Sequence, residues 1–447
     1  MASDIISLKD VTFSYKGSKR RALDGITLNV KQGECVAILG PTGAGKSTLA
    51  CVMNGTAPRF MDGSLAGDVT VDGMVPAKVG TAQMASRVGL VFGDPDTQLF
   101  GMTVEEDVAF GPANLGLGYE GIMERVSKSI GDMRLSGLER RAPHRLSGGQ
   151  KQATAIAGVY AMLPKIMVLD EPTSMLDPEG KARVFGIVRM LKEQLGVTVV
   201  LIEQEVDDIL NLADRVFVMR SGKFVLSGTP REVFGRVEEL RQAGVRVPQI
   251  VEFGTLIGAA ETPFTIEEAI SAIAPASAEE AVSGVTSAFA SVSEAANPAA
   301  APRASRAAQA DPVVEAVDVE FTYPGGARAL DGVNVTVGRG DFVAIVGQNG
   351  AGKTTLTRHF NGLLRPSSGD IRVLGLSAQG VPTIELCRHV GYVFQNPDEQ
   401  LFCTSVQEEL RFGPTNIGAD PGVTSQRVEE ILGDIGLTKY REVWPKY

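Results

Sequence analysis

The 447-residue sequence lacks several features that would place it in other classes of protein. It has no excess of positive charge: 43 Lys and Arg stand against 53 Asp and Glu, for a formal net charge of -10. A broad surface for the phosphate backbone of nucleic acid is therefore not expected. Its four cysteines are far apart and show no CxxC spacing, which fits neither a disulfide framework nor a zinc site and suits a reducing cytoplasm.

Export and membrane signals are also missing from the sequence. The first residues, MASDIISLKD, have neither the basic start nor the apolar core of a signal peptide. No apolar run approaches the ~18 to 20 residues that cross a bilayer. We therefore expect a protein that is soluble or that sits on a membrane through a partner, and its length predicts two or three domains.

Internal repetition is what the sequence does contain. The stretch RALDGITLNVKQGECVAILGPTGAGKST at 21–48 returns as RALDGVNVTVGRGDFVAIVGQNGAGKTT at 328–355, identical at 16 of 28 positions. After Asn54 the first copy carries five extra residues, and further on LFGMTVEEDVAFGPANLG pairs with LFCTSVQEELRFGPTNIG. This repetition indicates duplication of a whole module.

The duplication divides the chain into three predicted parts. Residues 1–273 form a first complete module, closed by an expected amphipathic helix over 231–247. Residues 274–312 are rich in Ala, Ser and Pro and are typical of a tether, the alternative being a docking segment. Residues 313–447 form a second module that ends before the counterpart of Leu146, so we expect the 447 residues to be a piece of a longer gene product.

Each copy contains a predicted phosphate-binding loop. In the first copy the apolar run CVAILG leads into GPTGAGKST and then into a helix-compatible LACVMN, the strand, glycine loop and helix order that a P-loop requires. The alternative, a glycine-rich turn without a ligand, does not explain two such patterns, each expected to follow a strand. The predicted nucleotide-binding residues of the loops are Gly40, Pro41, Thr42, Gly43, Ala44, Gly45, Lys46, Ser47 and Thr48 in the first copy, and Gly347, Gln348, Asn349, Gly350, Ala351, Gly352, Lys353, Thr354 and Thr355 in the second.

The glycines, the lysine and the hydroxyl residue of a P-loop each have a specific role. Backbone N–H groups of the glycine loop turn towards one anion, and the helix N-terminus adds partial positive charge. Lys46 and Lys353 are expected to reach the β- and γ-phosphates, and the hydroxyls of Ser47 and Thr354 to ligate Mg²⁺.

A second apolar strand pattern, IMVLDEP at 166–172, ends in two carboxylates. Asp170 is placed to hold Mg²⁺ directly or through water, and Glu171 to polarise the attacking water. The alternative is an acidic turn after a core strand, which the neighbouring P-loop makes the weaker interpretation.

The motif LSGGQ at 146–150, together with the P-loop, LDEP and SMLD at 174–177, resembles the nucleotide-binding subunits of ATP-binding-cassette proteins over the whole chain except the tether. The resemblance implies an α/β P-loop NTPase fold in two tandem cassettes, each with a RecA-like core, an antiparallel β subdomain and a helical subdomain. It also implies ATP and Mg²⁺ as ligands, and ATP hydrolysis coupled to transmembrane transport.

The family resemblance also assigns roles to residues outside the loops. In that family two cassettes sandwich two ATP molecules, each held by the P-loop of one cassette and the signature of the other. By this resemblance the signature residues grip the nucleotide on the loop of Lys353, while Tyr15 and Tyr323 stack on adenine. The signature residues are Ser147, Gly148, Gly149 and Gln150.

A narrower resemblance comes from VFGDPDTQLF and VFQNPDEQLF, from FGPANLG and FGPTNIG, and from SGKFVLSGTPREVF. These look like the ATPase subunits of energy-coupling-factor transporters, which import vitamins and transition-metal ions with a membrane scaffold and a substrate-binding membrane protein. This implies a peripheral position on the cytoplasmic face of the cell membrane and a pseudo-dimer of the two cassettes. The alternatives are the ATPase of a conventional ABC importer or exporter, and a soluble tandem cassette acting on ribosomes or DNA.

The first copy departs from the family pattern at two positions. Gly93 stands where the second copy has Gln395, which by the resemblance senses the γ-phosphate and Mg²⁺ and touches the membrane partner; Gln98 is no substitute, because the second copy keeps both Gln395 and Gln400. Gln204 stands where relatives have a switch histidine, and an amide can donate a hydrogen bond but carries no positive charge. We expect the first site to bind ATP but to hydrolyse it slowly, the alternative being neutral drift with full activity.

Overall fold

A computed structural model describes residues 4–18, 20–174, 176–259, 261–273, 312–348, 350–394 and 397–445. The chain divides into two compact units, 1–299 and 300–447. The predicted tether lies outside the described residues, except for Pro312 at its end.

The described residues of unit 1 form nine strands. They are β1 Asp4–Tyr15, β2 Leu23–Lys31, β3 Cys35–Leu39, β4 Gly63–Val71, β5 Val88–Val91, β6 Ile166–Asp170, β7 Thr198–Glu203, β8 Arg215–Arg220 and β9 Lys223–Gly228. Ten helices accompany them: α1 Lys46–Asn54, α2 Thr81–Ala85, α3 Val104–Asn114, α4 Tyr119–Asp132, α5 Gly148–Tyr160, α6 Pro178–Glu193, α7 Pro230–Phe234, α8 Val237–Ala243, α9 Gln249–Leu256 and α10 Ile266–Ile273. Single 3₁₀ turns lie at Pro76–Lys78, Pro95–Thr97, Pro143–Arg145 and Asp208–Asn211.

A six-stranded sheet in the order β5-β6-β7-β3-β8-β9 forms the centre of unit 1. All its neighbouring strands are parallel except β8 and β9, and β3, β6 and β7 are buried along their whole length. Such continuous apolar runs are typical of parallel strands that are covered on both faces. The carboxyl ends of β3, β6 and β7 meet at one edge, since Asp170 pairs with Ile202 and Leu39 with Glu203.

Two smaller layers complete unit 1. A three-stranded antiparallel sheet, β2-β1-β4, packs its apolar face into the core that covers one side of the central sheet. Helices α3, α4 and α5 form a helical part whose buried residues, such as Val108, Ile130 and Ile156, join the core on the other side. The predicted fold, a P-loop core with an antiparallel β subdomain and a helical subdomain, is confirmed for this unit.

The single amphipathic helix expected over 231–247 is wrong in detail. The segment forms two short helices, α7 and α8, because Arg236 takes a non-helical conformation (φ -90°, ψ 60°) after Gly235. Glycine is a weak helix former. The break lets Phe234 of α7 and Leu240 of α8 both enter the core.

Unit 2 is built on a four-stranded antiparallel sheet in the order β11-β10-β12-β13. The described residues form β10 Pro312–Thr322, β11 Arg328–Gly338, β12 Ser368–Val373 and β13 Leu376–Ser377. Its helices are α11 Lys353–Phe360, α12 Thr383–Cys387, α13 Val406–Asn416 and α14 Pro421–Asp434, with 3₁₀ turns at Pro397–Glu399 and Thr438–Tyr440.

The strand expected before the second P-loop is not formed, which corrects the sequence-based prediction. Residues 341–348 have no strand assignment, and Phe342 and Val346 are 100% and 88% exposed. In unit 1 the equivalent strand β3 is flanked by β7 and β8, which come much later in the chain. Among the described residues of unit 2, no strand lies beside 341–348, so the backbone groups of this segment have no ladder to join.

Candidate nucleotide site

The first P-loop has the backbone shape that an anion cradle needs. It leaves the end of β3, passes through Gly43 (φ +76°) and Gly45 (φ +106°), and enters α1 at Lys46. A Cβ atom on Gly45 would lie 2.3 Å from the carbonyl oxygen of Ala22, so only glycine fits there. The Lys46 side chain is 4% exposed and folds back over the loop, donating to the carbonyl oxygens of Gly40 (2.8 Å) and Pro41 (3.1 Å).

A cavity of about 430 Å³ opens above this loop. The Tyr15 hydroxyl lies 2.9 Å from Thr48 Oγ1, which fixes the ring at the cavity wall, and the residue is 37% exposed. Two cations that the sequence analysis missed, Arg20 and Arg21, also line the cavity, and the adjacent pair of arginines before ALDG was their only signal. The lining residues are Tyr15, Ser18, Arg20, Arg21, Ala22, Thr42, Gly43, Gly45, Lys46, Ser47, Thr48 and Glu171.

Asp170 provides a test of whether the site suits a divalent cation. It ends β6 and is 7% exposed, and its Oδ1 atom has no hydrogen-bond partner among the described residues. Burial raises the pKa of Asp170, while a hydrogen bond from Ser47 acts in the opposite direction. A buried carboxylate oxygen without a partner, beside a hydroxyl, is a pair of hard oxygen donors of the kind that Mg²⁺ prefers. Of the predicted metal ligands, Ser47 and Asp170 are therefore chemically suited to the cation.

Glu171 and Gln204 are brought together at the same edge of the sheet. Glu171 has a left-handed backbone (φ +50°) held by a hydrogen bond from its N–H to the Ile202 carbonyl oxygen at 2.8 Å. The Gln204 side-chain amide donates to Glu171 Oε1 at 2.8 Å and lies 3.5 Å from Thr42 Oγ1. Lys46 Nζ is 3.2 Å from the same Glu171 oxygen. One carboxylate oxygen thus contacts both the lysine and the residue at the switch position.

Gly93 lies directly against the turn that carries the carboxylates. A Cβ atom there would be 2.8 Å from the Glu171 carbonyl oxygen and 3.1 Å from that of Asp170, so the main chain of the turn occupies the room where a side chain would begin. Gly93 belongs to the segment 92–100, which turns back after β5 and is called the hairpin hereafter, as is its counterpart 394–402. Gln98 holds the first hairpin from within: its Oε1 accepts from Phe92 N at 2.8 Å and its Nε2 donates to the Leu90 carbonyl oxygen at 3.2 Å.

Gln400 makes the same two hydrogen bonds in the second copy: it accepts from Phe394 N (3.2 Å) and donates to the Tyr392 carbonyl oxygen (3.4 Å). The glutamine shared by both hairpins therefore has a structural role, because it fixes the conformation of the segment. The predicted sensor Gln395 lies outside the described residues.

The signature residues form the beginning of helix α5. Ser147 Oγ accepts from Gln150 N (3.3 Å) and Gln150 Oε1 accepts from Ser147 N (3.0 Å), which is a capping box. A Cβ on Gly149 would lie 2.8 Å from Gly180 Cα in α6, so this glycine serves helix packing. Ser147 is exposed at a helix N-terminus, where an anion is favoured. The grip on nucleotide predicted for Ser147, Gly148, Gly149 and Gln150 stays a prediction.

The second P-loop has the same local geometry as the first. Lys353 Nζ donates to the carbonyl oxygens of Gly347 and Gln348, both at 2.7 Å, and the Tyr323 hydroxyl lies 3.0 Å from Thr355 Oγ1. The remaining predicted loop residues are described with it, except Asn349.

The fold and these loops define a P-loop nucleotide-binding protein. The family model for ABC transporters matches residues 23–174 and 330–446. A candidate ABC transporter ATP-binding protein of Caldanaerobacter subterraneus is 39% identical over 444 residues, covering 98% of this chain and 76% of that protein. One from Methanosarcina acetivorans is 38% identical over 447 residues, covering 98% and 72%. The chain therefore belongs to the ABC transporter family and is an ABC ATPase.

Two solved structures are also similar to this chain. CbiO1 of Clostridium perfringens, described as part of the ABC transporter complex CbiONQ, is 36% identical with a TM-score of 0.48, over 55% of this chain and 97% of that one. A dimeric ATP-binding cassette in a post-hydrolysis state with ADP and Pi is 26% identical with a TM-score of 0.45, over 51% and 99%. In the part of this chain that the structure describes, no helix has both the length and the apolar character needed to cross a bilayer.

Proposed function

We propose that this chain is the ATP-binding and hydrolysing subunit that powers an energy-coupling-factor importer of a vitamin or a transition-metal ion, bound peripherally to the cytoplasmic face of the cell membrane. The observation that carries the proposal is an exposed aromatic pair that recurs in both units. Phe100 and Phe110 meet edge to face at 4.4 Å between ring centroids, and Phe402 and Phe412 do so at 4.6 Å. The first residue of each pair comes from the QLF hairpin, and the second from the FGP helix.

The aromatic pair of unit 1 lies at an apolar groove of about 450 Å³. Phe100 is 62% and Phe110 50% exposed, and apolar neighbours such as Leu115 and Met162 extend the same surface. A rigid, exposed aromatic pair beside an apolar groove is typical of a docking surface for an amphipathic helix. We assign that helix to the membrane scaffold subunit, in line with the narrower family resemblance of these two sequence motifs.

An acidic side chain holds the exposed phenylalanine in each unit: Asp107, which is buried, in unit 1 and Glu409, which is half-buried, in unit 2. In unit 1 the carboxylate of Asp107 accepts from Phe100 N (2.9 Å) and Gly101 N (2.8 Å). In unit 2 Glu409 accepts from Phe402 N (3.0 Å) and Cys403 N (2.7 Å). The side chains differ by one methylene but make the same pair of bonds, which supports a shared need to present this aromatic residue in a fixed position.

The groove is connected to the nucleotide site through the hairpin. Lys151 and Gln152 of α5 bind the hairpin at Asp96 (2.7 Å) and at the Phe92 carbonyl oxygen (3.1 Å). The next residue, Gly93, touches the turn that carries Asp170 and Glu171. A partner helix that moves the hairpin would therefore displace both the signature helix and the carboxylate turn, which is the coupling that a transport motor requires.

The chemistry assigned to the first site follows from the contacts of Lys46. On ATP binding, the phosphates would draw the lysine from the loop carbonyls and from Glu171, which frees that carboxylate to orient water. Gln204 would keep a hydrogen bond to Glu171, but it offers no cationic support to the transition state. Ser47 and Asp170 would hold Mg²⁺, whose charge offsets that of the β- and γ-phosphate oxygens.

Binding at the second P-loop would use the equivalent loop residues, with Tyr323 against adenine and Thr354 and Gln395 towards Mg²⁺. We assign Ser147 and Gly148 to the nucleotide of that loop in a cassette pseudo-dimer. The net charge of -10 favours this transport role over a soluble cassette on ribosomes or DNA, which would need a basic surface. A conventional ABC importer or exporter remains the alternative within transport.

The test is co-purification of the full-length protein with membrane subunits encoded beside it. Replacing both Phe100 and Phe402 by Ser should reduce the recovered membrane scaffold at least about tenfold, because each unit loses one ring of its exposed aromatic pair. Phe60→Ser is the matched control, since Phe60 is 68% exposed but does not line the groove. Recovery of a scaffold with a substrate-binding membrane protein supports the importer; recovery of ribosomal RNA without a membrane protein contradicts it.

A further inference from the structure

A buried carboxylate, Glu203, lies behind the residues assigned to hydrolysis. It ends β7 and is 1% exposed. Its Oε1 accepts from the N–H of Thr173 at 3.1 Å and from the Thr173 hydroxyl at 2.8 Å, and its Oε2 accepts from the N–H of Gln204 at 3.2 Å. Charged groups are rarely buried so completely unless they are well bonded, and here all three bonds go to the two segments that carry Glu171 and Gln204.

These bonds close a ring of contacts around the carboxylate turn. Glu171 has an unusual positive φ, and the turn is anchored on one side by the bond from Glu171 N to the Ile202 carbonyl oxygen. The two bonds from Thr173 to Glu203 anchor its other side. The ring closes through Gln204, whose main chain binds Glu203 and whose side chain binds Glu171 at 2.8 Å. A left-handed non-glycine residue persists only where its surroundings over-determine it.

We propose that Glu203 is a positioning residue for ATP hydrolysis, which fixes Glu171 and Gln204 relative to each other through Thr173 and the main chain of Gln204. The inference rests on the roles proposed for Glu171 and Gln204. Glu203 is too deeply buried to touch nucleotide, so it acts only through those two residues. Burial raises the pKa of Glu203 to about 7, which makes this position unfavourable for a charge and fits a carboxylate kept for its hydrogen bonds.

Isosteric substitutions can separate this role from general packing. Glu203→Gln keeps the shape of the side chain but replaces one carboxylate oxygen by an NH₂ group. In one orientation of the amide this NH₂ faces the backbone N–H of Thr173, and in the other it faces that of Gln204. Two donors cannot bond to each other, so one contact of the ring is lost in either case. Thr173→Val removes the hydroxyl donor at nearly constant volume, whereas Thr173→Ser retains it. Asp214→Asn is the matched control, because Asp214 accepts a backbone N–H from Cys35 (2.8 Å) at the start of β3, the opposite edge of the same sheet.

The measurement is single-turnover hydrolysis of MgATP by the full-length, membrane-assembled protein carrying Lys353→Ala, so that the first site alone is occupied. We expect Glu203→Gln and Thr173→Val to lower the hydrolysis rate constant about tenfold or more, since small misplacements of reacting groups have large effects on rate. The affinity for a fluorescent ATP analogue should stay within about twofold. Thr173→Ser and Asp214→Asn should hydrolyse at the parent rate.

Two outcomes would overturn the proposal. One is a folded Glu203→Gln protein with the parent rate constant, and the other is an equal loss of affinity and rate, which would indicate a general distortion of the site. Glu171→Gln in the same Lys353→Ala protein shows whether the positioning role of Glu203 or the catalytic role of Glu171 is at fault. If Glu171→Gln leaves the rate unchanged, the role of Glu171 is wrong; if it lowers the rate while Glu203→Gln does not, only the positioning role is wrong.

Discussion

The two P-loops have the same local shape in different surroundings. Lys46 and Lys353 both fold back onto the first two carbonyl oxygens of their own loops. Only Lys46, however, also meets a carboxylate; among the described residues of unit 2, Lys353 has no ion pair. The shape of the loop is therefore a property of its own few residues, whereas its catalytic surroundings depend on strands β6 and β7, which follow more than a hundred residues later.

The strongest test of this likeness is to remove each lysine in turn from the full-length protein. Lys46→Ala and Lys353→Ala should each weaken ATP binding at one of the two sites by about 10²-fold, since a charge-assisted bond to phosphate is lost. Titration with a fluorescent ATP analogue measures this, with Lys78→Ala as a surface control. If neither change weakens uptake, the two loops are not nucleotide sites.

The next test asks whether the difference in surroundings makes the two sites unequal in turnover. In the full-length, membrane-assembled protein, Ser147→Ala should remove most ATPase activity, about tenfold or more, because it disables the second site. Glu171→Gln should reduce the rate less than about twofold, because the first site contributes little.

Ser147→Thr is the control for the structural part of Ser147, since threonine keeps the helix cap that Ser147 provides for α5. Equal losses from Ser147→Ala and Glu171→Gln would mean two equivalent sites. Gly93 and Gln204 would then be neutral changes.

A smaller effect is expected from giving the first hairpin the residue type of the second. Gly93→Gln should lower the free energy of unfolding by about 1–3 kcal/mol, because its Cβ meets the carbonyl oxygens of Glu171 and Asp170. Chemical denaturation measures this. Gly118→Gln is the control, since Gly118 has a negative φ and nothing within 4 Å of an added Cβ. Unchanged stability of Gly93→Gln would show that the turn yields readily and that the contact is not a constraint.

The last test concerns the dependence of stability on pH. The pKa of Glu203 is raised from 4.5 to about 7 by burial, so the folded state binds this proton more tightly than the unfolded state does. Its contribution to stability is full below pH 4.5 and is lost as pH rises towards 7, by at most about 1.4 kcal/mol per pH unit. The free energy of unfolding of Glu203→Gln should therefore fall less steeply than that of the parent between these pH values. Parallel curves would contradict this.

Local sequence was enough to predict much of the candidate site. The glycines and lysine of the P-loop act through neighbours a few residues away, and Asp170 and Glu171 follow directly from an apolar strand. The strand before the second P-loop was predicted wrongly, because strand formation depends on partners distant in sequence. The helix over 231–247 was predicted as one because the apolar spacing runs through Gly235 without a visible break.

The contacts that join the site residues to one another were not predictable in the same way. The bond between Gln204 and Glu171 exists because β6 and β7 are neighbours in the sheet, and no spacing in the sequence shows this. Glu203 did leave a signal, since it is an acid at the end of the apolar run TVVLI. Its meaning depends on Thr173, thirty residues earlier, and only the fold brings the two together.

The contact between Gly149 and Gly180 has a mechanical consequence. A Cβ on either residue would lie within 3.4 Å of the other's Cα. The beginnings of α5 and α6 are therefore in direct backbone contact, with no side chain between them. We therefore expect the two helices to move as one rigid body at this point. A displacement of the signature residues at the start of α5 would then also displace Asp177, which caps α6, without a change of side-chain rotamers between them.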